Sequence, residues 1–473
     1  MISSKKKTIE KFSKLSILLF VLFFSRNILR NVKDGLIASD IGTESISFIA
    51  IFLHVPIAFF ILKLYNKFLS VKSLIKNFAF ALSIFLGYFF VFAFIIYPNK
   101  NFFHPSKDFV DSAISIFPNL KWVIRIMGNW SVALFSVFSE LWVTIICSIS
   151  YWQLANNAST IREASRFYIY FASLGQLSLV CVAPFTSFLR TKSSLFSINN
   201  SFIKFTVITV ICSSVISLYL YKSIENKFVN KLEITKLGEK NKNSLSDFFG
   251  SLKFIINNRY LLMIAIITLS YSAIMTWSDG IISCIMKKKY ENLQDFCNYK
   301  SKIMSCIGIF TIFFSLAGNY LLKKVSWKAV AIIIPIITLI SGTLFFVTSY
   351  IYVNLYSSCL SLAVFFSGAY STLSKAAKYS LFDSTKEMTY IPLDSNTKQR
   401  GQASVDIIAD NIGKILGSGL QLFVFTLFPN VLHENLISPL FFLFFIMAIL
   451  WIYAVNSLGK MYEKKIIDKN LYE

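Results

Sequence analysis

The chain has 473 residues, of which 55% are hydrophobic and only 15% are charged, and its mean hydropathy is +0.61. Soluble domains are usually about a quarter charged, so this composition excludes a soluble globular protein and predicts one that crosses a membrane many times. The net charge of +23 does not indicate nucleic-acid binding, because the lysines lie mostly between apolar runs, as the positive-inside rule predicts.

About twelve apolar runs are long enough to cross the hydrocarbon core of a bilayer, which takes roughly 20 helical residues. In chain order the predicted spans are 13–36, 43–64, 75–97, 122–152, 165–189, 201–222, 257–286, 301–322, 328–352, 354–380, 400–428 and 437–458. Basic residues recur at the N-terminus, after alternate spans and past the last span, which predicts that both termini are cytoplasmic. The run Lys287-Lys288-Lys289 falls on the opposite side and is the one clear exception.

A lysine-rich segment divides the chain into two parts of six spans each. We predict an N-terminal six-helix half at 1–222, a cytoplasmic basic linker at 223–256, and a C-terminal six-helix half with a cytoplasmic tail at 257–473. The halves also echo each other, since Val32–Leu36 in the first span resembles Trp277–Ile281 in the seventh. The predicted fold is an all-α polytopic membrane protein of the major-facilitator kind, with two parallel repeats around a central site.

Three cations share one face of the first span. Arg26, Arg30 and Lys33 stand at helical positions i, i+4 and i+7. A cation at the centre of a bilayer costs roughly 2.5–3.5 kcal/mol on insertion scales, so such a stripe indicates a function. The alternative is that these residues only end the helix in the headgroup region, although the sequence continues in an apolar vein beyond Gly35.

Polar side chains at helical spacing also lie along one face of each of the fourth, seventh, tenth and eleventh spans. They are Asn129, Ser136, Glu140, Thr144 and Ser148; Ser272, Thr276, Asp279 and Ser283; Ser371, Ser374 and Lys378; and Gln402, Asp406, Asp410, Lys414 and Gln421. Spans one, four, seven and ten line the cavity of a two-repeat transporter, so this pattern predicts a water-filled pocket. Glu140 and Asp279 mark it best, because an unpaired carboxylate in an apolar helix is costly.

Each stripe has a structural alternative. Serine and threonine hydroxyls in membrane helices often bond to their own backbone. Asp410 and Lys414 are four residues apart and can form an ion pair within one helix. Gly413 and Gly417 have the small-xxx-small spacing of a close helix contact.

The candidate cavity charges are mainly cations, which indicates an anionic cargo. Arginine and lysine supply the charge and the donors that phosphate requires, and a nucleotide base would also need an aromatic or apolar surface. Trp130, Tyr271 and Tyr370 are possible stacking surfaces. The candidate cations are Arg26, Arg30, Lys33, Lys378 and Lys414.

Enzyme chemistry is not indicated. A Walker loop ending at Gly413-Lys414 would need glycine where Ile408 stands, and no set of nucleophile, base and orienting residue is visible. The seven cysteines include no CxxC pair and the three histidines are far apart, so we predict neither a metal site nor a cofactor.

Three strings in order along the chain resemble the nucleotide transporter family, the ATP/ADP translocases of obligate intracellular bacteria and plastids. They are LRNVKDGLIASDIG at 29–42, the string at 121–156 followed by EASRFY at 163–168, and KYSLFDSTKEMTYIPLD at 378–394 leading into GQASVDII at 401–408. The resemblance implies a distant major-facilitator fold. A plastid member should carry a long N-terminal transit peptide, and its absence favours a bacterial protein of the intracellular-parasite type.

The resemblance also implies which charges matter for transport. The family's essential charges carry over onto Lys33, Glu140 and Lys414, and the glutamate of its seventh-span Glu-Gly appears as Asp279 before Gly280. Two departures fall where the substrate would be recognised. Ile282-Ser283 replaces the family's Trp-Lys, and Ile415-Leu416 replaces the Ser-Gly of its Gly-Lys-Ser-Gly-Gly, so exchange of ATP for ADP is not assured.

The leading hypothesis is a nucleotide transporter of the bacterial inner membrane that imports host ATP in exchange for ADP by alternating access. Lys33 and Lys414 would hold phosphates, with Arg26 and Arg30 steering them, while Glu140 and Asp279 tune the cavity or pair with cations between cycles. The expected partners are nucleotides and the bilayer, with no nucleic acid and no protein partner implied. The alternatives are transport of other nucleotides, including proton-coupled net uptake, and a nucleotide-binding receptor without transport.

Overall fold

The computed structural model of the chain describes residues 2–54, 56–57, 74–159, 161–195, 201–229, 252–394, 397, 401, 405 and 409–468. Over these residues the backbone is helical, with turns and short connections and no strand. The predicted all-α class is therefore confirmed. Gln402 and Asp406 of the predicted eleventh-span stripe lie outside the described residues, as does most of the predicted linker at 223–256.

The helices form two compact units, Met1–Asn241 with Tyr290–Gly308, and Lys242–Lys289 with Ile309–Glu473. Among the described residues, the α-helices that lie wholly in the first unit are α1 (Ile2–Leu36), α2 (Ser45–Ile49), α3 (Leu74–Val91), α4 (Lys100–Phe103), α5 (Lys107–Ile116), α6 (Lys121–Gly128), α7 (Trp130–Trp142), α8 (Tyr151–Ala158), α9 (Ile161–Leu195) and α10 (Ser201–Phe228). In the second unit, the α-helices with described bounds include α11 (Arg259–Lys289), α13 (Trp327–Asn354), α14 (Leu360–Ala377), α15 (Asp383–Thr389), α16 (Asp410–Leu427) and α17 (Ile437–Asp468). Helix α12 (Leu293–Lys324) contributes its first part, up to Gly308, to the first unit and the rest to the second. The predicted division at 1–222, 223–256 and 257–473 stays a prediction.

Eight stretches of the described helices are long and apolar enough to cross a membrane. They are Thr8–Ile41, Leu74–Ile96, Trp130–Ala158, Ser201–Phe228, Arg259–Lys289, Leu293–Leu322, Trp327–Asn354 and His433–Asp468. Each of the twelve predicted spans overlaps a described helix. The count of twelve membrane crossings nevertheless stays a prediction.

Helix α1 is central to the first unit and packs against α7, α9 and α10. Leu15, Leu18, Leu22 and Leu29 follow the three-and-four spacing of one helical face and are buried. A Cβ at Gly175 of α9 would lie only 2.8 Å from the ring of Phe23, so this glycine permits a close approach of α9 to α1. Such packing fixes the rotation of α1 and therefore the direction of its polar face.

Gly42 ends the first helical stretch, after α1 has continued through a wider turn at Ile37–Ile41. Its backbone φ is +120°, a value that residues with a Cβ rarely adopt. A Cβ there would also lie 2.7 Å from the ring of Trp122 in α6. Glycine therefore allows both the reversal into α2 and the contact with α6.

Helix α11 has the corresponding central place in the second unit, where it packs against α14, α16 and α17. Its contact with α16 depends on two glycines. A Cβ at Gly413 would lie 2.6 Å from the carbonyl oxygen of Leu269, and one at Gly417 would lie 2.7 Å from the Cβ of Thr276. This is the close helix contact that the small-xxx-small spacing predicts.

Replacing Gly417 with leucine is expected to destabilise the second unit by about 1–3 kcal/mol, because overpacking forces α11 and α16 apart. Thermal unfolding in detergent should show a lower midpoint. The matched control is Gly419→Leu on the same helix, since a Cβ at Gly419 meets no atom within 4 Å. An equal loss in both variants would show that the packing contact is not the cause.

Candidate functional site

The charged centre of the first unit is an ion pair between two residues predicted from the sequence. Nζ of Lys33, near the end of α1, binds Oε1 of Glu140 in α7 and lies 3.4 Å from Oδ1 of Asp34. The Lys33 side chain is only 9% exposed, whereas that of Glu140 is 43% exposed. Loss of Lys33 would leave Glu140 without its paired cation, and loss of Glu140 would leave Lys33 with only the more distant Asp34, and either change in an apolar helix bundle is costly.

Asp34 has a second partner that sequence reasoning missed. Nζ of Lys300 in α12 lies 2.5 Å from Oδ2 of Asp34. The four charges therefore form a row in the order Glu140, Lys33, Asp34 and Lys300. The sequence feature that could have indicated this partner is the position of Lys300, one residue before the predicted eighth span.

The residues on either side of Asp34 also seat the beginning of α12. Asn31 donates from Nδ2 to the carbonyl oxygen of Cys297 at 2.9 Å. A Cβ at Gly35 would lie 2.6 Å from Sγ of Cys297 and 2.7 Å from Leu293. In Asn31–Gly35, therefore, Lys33 faces α7, while the residues around it hold α12.

Replacing Lys300 with glutamine is expected to destabilise the first unit by about 3 kcal/mol, because Asp34 would keep a largely buried charge without this partner. The double variant D34N/K300Q removes both charges and should recover part of that loss. Unfolding midpoints of both variants in detergent check the expectation. A single variant as stable as the wild type would contradict it.

Arg26 and Arg30 lie on the same helix as Lys33. Arg30 is close enough to Asp34 and Glu140 to contribute to the potential at both carboxylates. The guanidinium of Arg26 lies 5.1 Å from the ring centre of Phe23, and its buried Nε has no hydrogen-bond partner among the residues that the structure describes. With Lys33 and Lys300, the two arginines make four cations against two carboxylates, so this cluster has a net positive charge.

The structure places Asn129 and Trp130 at the break between α6 and α7. Asn129 donates to the carbonyl oxygen of Arg125 at 3.2 Å, and Nε1 of Trp130 donates to that of Phe103 at 3.0 Å. Burial, together with the charge of Lys100, lowers the pKa of His104, whose ring lies 5.8 Å from Trp130. Glu140 is ten residues further along the helical stretch, a rise of about 15 Å. Asn129 and Trp130 therefore fix the connection before α7 and are not part of the surroundings of Lys33.

In the second unit, Asp279 of α11 binds Lys375 of α14, with 2.8 Å between Oδ1 and Nζ. Lys375 is 17% exposed and Asp279 is 42% exposed. The sequence predicted Asp279 but not Lys375, which is one turn before Lys378 and outside the predicted stripe. Lys378 itself lies 3.3 Å from Asp383.

Lys414 is paired within its own helix. Its Nζ lies 2.7 Å from Oδ2 of Asp410, and the other oxygen of Asp410 accepts a hydrogen bond from Ser272 of α11. This is the in-helix ion pair that the spacing allowed. Because the Lys414 side chain is 59% exposed, the pair is weak and leaves the cation open to solvent.

The two tyrosines considered as stacking surfaces lie in the core of the second unit. Tyr370 is buried and stacks on Phe345 with 5.3 Å between ring centres. Tyr271 is buried too and makes an edge contact with Trp451 at 5.9 Å. Neither ring is open to a nucleotide base in this structure.

The basic run Lys287-Lys288-Lys289 at the end of α11, which falls on the side opposite to the other basic segments, has an acidic partner. This partner accounts for part of its exceptional position. Nζ of Lys288 lies 2.9 Å from Oε1 of Glu434. Lys289 donates to the hydroxyl of Ser361 in α14 at 3.0 Å. This run therefore binds the second unit itself.

Comparison with known proteins identifies close relatives in sequence. The sequence profile of the TLC ATP/ADP transporter matches residues 2–462. The chain is 35% identical over 479 residues to ADP,ATP carrier protein 1 of Rickettsia typhi, covering 98% of this chain and 95% of that protein. It is 31% identical over 483 residues to ADP,ATP carrier protein 3 of Rickettsia prowazekii, covering 97% and 96%.

Solved structures with little sequence similarity have the same fold. A bacterial homologue of the iron transporter ferroportin in an inward-facing state is 11% identical, with a TM-score of 0.56 over 97% of this chain and 98% of that chain. A D-xylose-proton symporter is 13% identical, with a TM-score of 0.53 over 95% and 97%. These likenesses confirm the predicted transporter fold of the major-facilitator kind and carry no information about cargo.

Proposed function

Because this chain belongs to the TLC ATP/ADP transporter family, we propose that it is a membrane nucleotide transporter that imports ATP in exchange for ADP by alternating access. Relatives that it matches over nearly their whole length are named as ADP,ATP carriers. The chain is a multi-pass membrane protein and a transporter rather than an enzyme. We propose that it lies in the inner membrane of an intracellular bacterium, as the resemblance to the translocases of such bacteria implies. In this proposal both termini are cytoplasmic, because the basic residues follow alternate spans.

The observation that carries this proposal is the ion pair between Lys33 and Glu140. A phosphate oxygen offers Lys33 the same kind of charge-assisted hydrogen bond as the carboxylate does. When a phosphate replaces the Glu140 carboxylate, the buried Lys33 has an anionic partner both before and after binding. Since Glu140 is the more exposed partner, it is the group that can move away from Lys33 when a phosphate arrives.

The charges around the pair favour entry of an anion. Arg26 and Arg30 raise the positive potential on the same face of α1, which attracts the polyphosphate towards Lys33. Arg26 also presents a buried Nε donor that an anionic oxygen can satisfy. In the second unit, Lys414 is exposed and weakly paired, so it can bind phosphate without breaking a buried contact.

Obligate exchange follows if the carrier changes conformation only while phosphate is bound to Lys33. Without nucleotide, Lys33 is paired with Glu140 and Asp34, so the empty site holds closely paired charges in place of a bare cation. The proposed cycle therefore alternates Lys33 between a carboxylate and a phosphate. In this scheme no proton gradient is required.

Transport of other nucleotides is the second candidate function. The observation that favours it is the replacement of the family's Ser-Gly by Ile415-Leu416, next to Lys414. Both side chains are exposed and apolar, so they change the surface beside a candidate phosphate ligand. In a proton-coupled version, Glu140 or Asp279 would carry the proton.

Reconstitution into liposomes tests both candidates. Uptake of labelled ATP is measured with ADP, with no nucleotide, or with GTP, CTP or UTP inside the vesicles, and with and without a proton gradient. We expect uptake to require internal ADP. Uptake that is independent of internal nucleotide would contradict obligate exchange, and binding of ATP without uptake of any nucleotide would favour the receptor alternative.

A further inference from the structure

Lys375 is a largely buried cation, 17% exposed, that neither the sequence stripes nor the family resemblance assigned. It lies in the last turn of α14, an otherwise largely apolar helix, and is bound to Asp279 of α11. A charged group at this position in a membrane-spanning half is expensive unless it is paired or used.

The pair repeats the arrangement in the first unit with the charges exchanged. There, the lysine comes from α1 and the carboxylate from α7, the first and fourth predicted spans of the N-terminal half. In the second unit, the carboxylate comes from α11 and the lysine from α14, the first and fourth predicted spans of the other half. In the aligned motif, Ser278 stands at the position of Lys33, so the cation has moved to the other helix.

In both pairs the exposed fraction of a side chain depends on its charge and not on which of the two helices carries it. Both lysines are largely buried, and both carboxylates are close to half exposed. In each pair the carboxylate is thus the partner that solvent or a ligand can reach first. Ser278, by contrast, is fully buried, with its hydroxyl bonded to the carbonyl of Ile274 and to Tyr370.

We propose that Lys375 is a phosphate-binding residue of the second unit and that Asp279 is the carboxylate that occupies it when no nucleotide is bound. This inference rests on the proposed transport function and adds Lys375 to Lys414 as a cation for the polyphosphate. The two lysines have different roles. Lys414 is exposed and paired within its helix, so it suits the first contact with the nucleotide. Lys375 is largely buried and exchanges the half-exposed carboxylate of Asp279 for a phosphate on binding.

The proposal predicts opposite effects from neutralising the two partners. K375M removes the phosphate ligand, so affinity for ATP should fall by about 30-fold, the lower end of the loss for a close charge pair. D279N removes the competing carboxylate, so affinity for ATP should rise. A purely structural pair predicts the same direction for both variants, because each leaves a charge without its counter-ion.

Equilibrium binding of labelled ATP, ADP and AMP to the purified full-length protein in detergent tests this directly. K375M should also reduce the preference for ATP over AMP. The matched control is Lys289→Met, which removes a lysine that joins the same two helices through Ser361 but leaves Asp279 and Lys375 untouched. Its affinity for ATP should equal that of the wild type.

The double variant D279N/K375M keeps the test decisive if K375M alone is poorly folded, because no uncompensated charge remains in the pair. The proposal expects the folded double variant to bind ATP about 30-fold more weakly than D279N does, because only the lysine differs between them. Equal affinities of the double variant and D279N, or wild-type affinity in K375M, would overturn it and leave the transport function intact. Failure of the wild-type protein itself to bind ATP would instead overturn the proposed function, and this inference with it.

Discussion

Replacing Lys33 with glutamine is expected to lower ATP uptake into ADP-loaded proteoliposomes by about 100-fold. The substitution removes the cation proposed to bind phosphate and leaves Glu140 facing the incoming anion. Losing one partner of a buried charge pair costs about 2–5 kcal/mol, and each 1.4 kcal/mol is roughly a tenfold change. Initial rates of exchange, corrected for the amount of folded protein, provide the measurement.

Two further variants separate phosphate binding from folding. K33Q/E140Q removes both charges of the pair, so recovery of uptake in this variant would show that the unpaired carboxylate, and not the lost cation, caused the defect. Lys14→Gln is the control on the same helix, since Lys14 binds Ser223 and Glu10 near the other end of α1. We expect the control to exchange at the wild-type rate.

Replacing Glu140 with glutamine should have a different signature. Lys33 would lose its main counter-ion, so phosphate would bind with less competition and the apparent KM for ATP should fall by about tenfold. The maximal exchange rate should fall as well, because no carboxylate displaces the phosphate when it leaves. Exchange rates over a range of external ATP concentrations give both values.

Ser139→Ala is the matched control for Glu140, because Ser139 precedes it in α7 and its hydroxyl bonds to the carbonyl of Phe135 in the same helix at 2.7 Å. Both kinetic values should remain unchanged in this variant. An E140Q protein with a raised KM would contradict the competition between carboxylate and phosphate. It would point to a direct role of Glu140 in holding the nucleotide.

Several features of this protein could be read from the sequence because they depend on local properties. Apolar runs of sufficient length indicate membrane helices, and helical spacing places Arg26, Arg30 and Lys33 on one face. An isolated Glu140 in an apolar helix indicates a use, because burial of an unpaired carboxylate is so costly. Gly413 and Gly417 indicated a close helix contact, and α11 packs against both glycines.

The pairing of the charges could not be read in this way. Asp279 was expected to tune the cavity or to pair with a cavity cation such as Lys414, whereas the structure joins it to Lys375 on another helix. The Asp410–Lys414 pair, which lies within one helix, is the exception that spacing allowed. In the sequence, Asp34 was recognised only as part of a motif. Its partner Lys300 lies 266 positions further along the chain, on α12. Such pairs depend on which helices touch and at what depth, and not on spacing along one helix.

The sequence by itself therefore determined the class of the protein, its helices and the charged faces, including Lys33 and Glu140. Only the tertiary structure decided that these two residues are partners, 107 positions apart, and that Lys375 repeats the arrangement in the second unit. The physical reason is that helical periodicity fixes the direction of a side chain about its own axis. Its neighbour is fixed by the rotation and depth of a second helix, which close packing at glycines such as Gly35 and Gly175 sets.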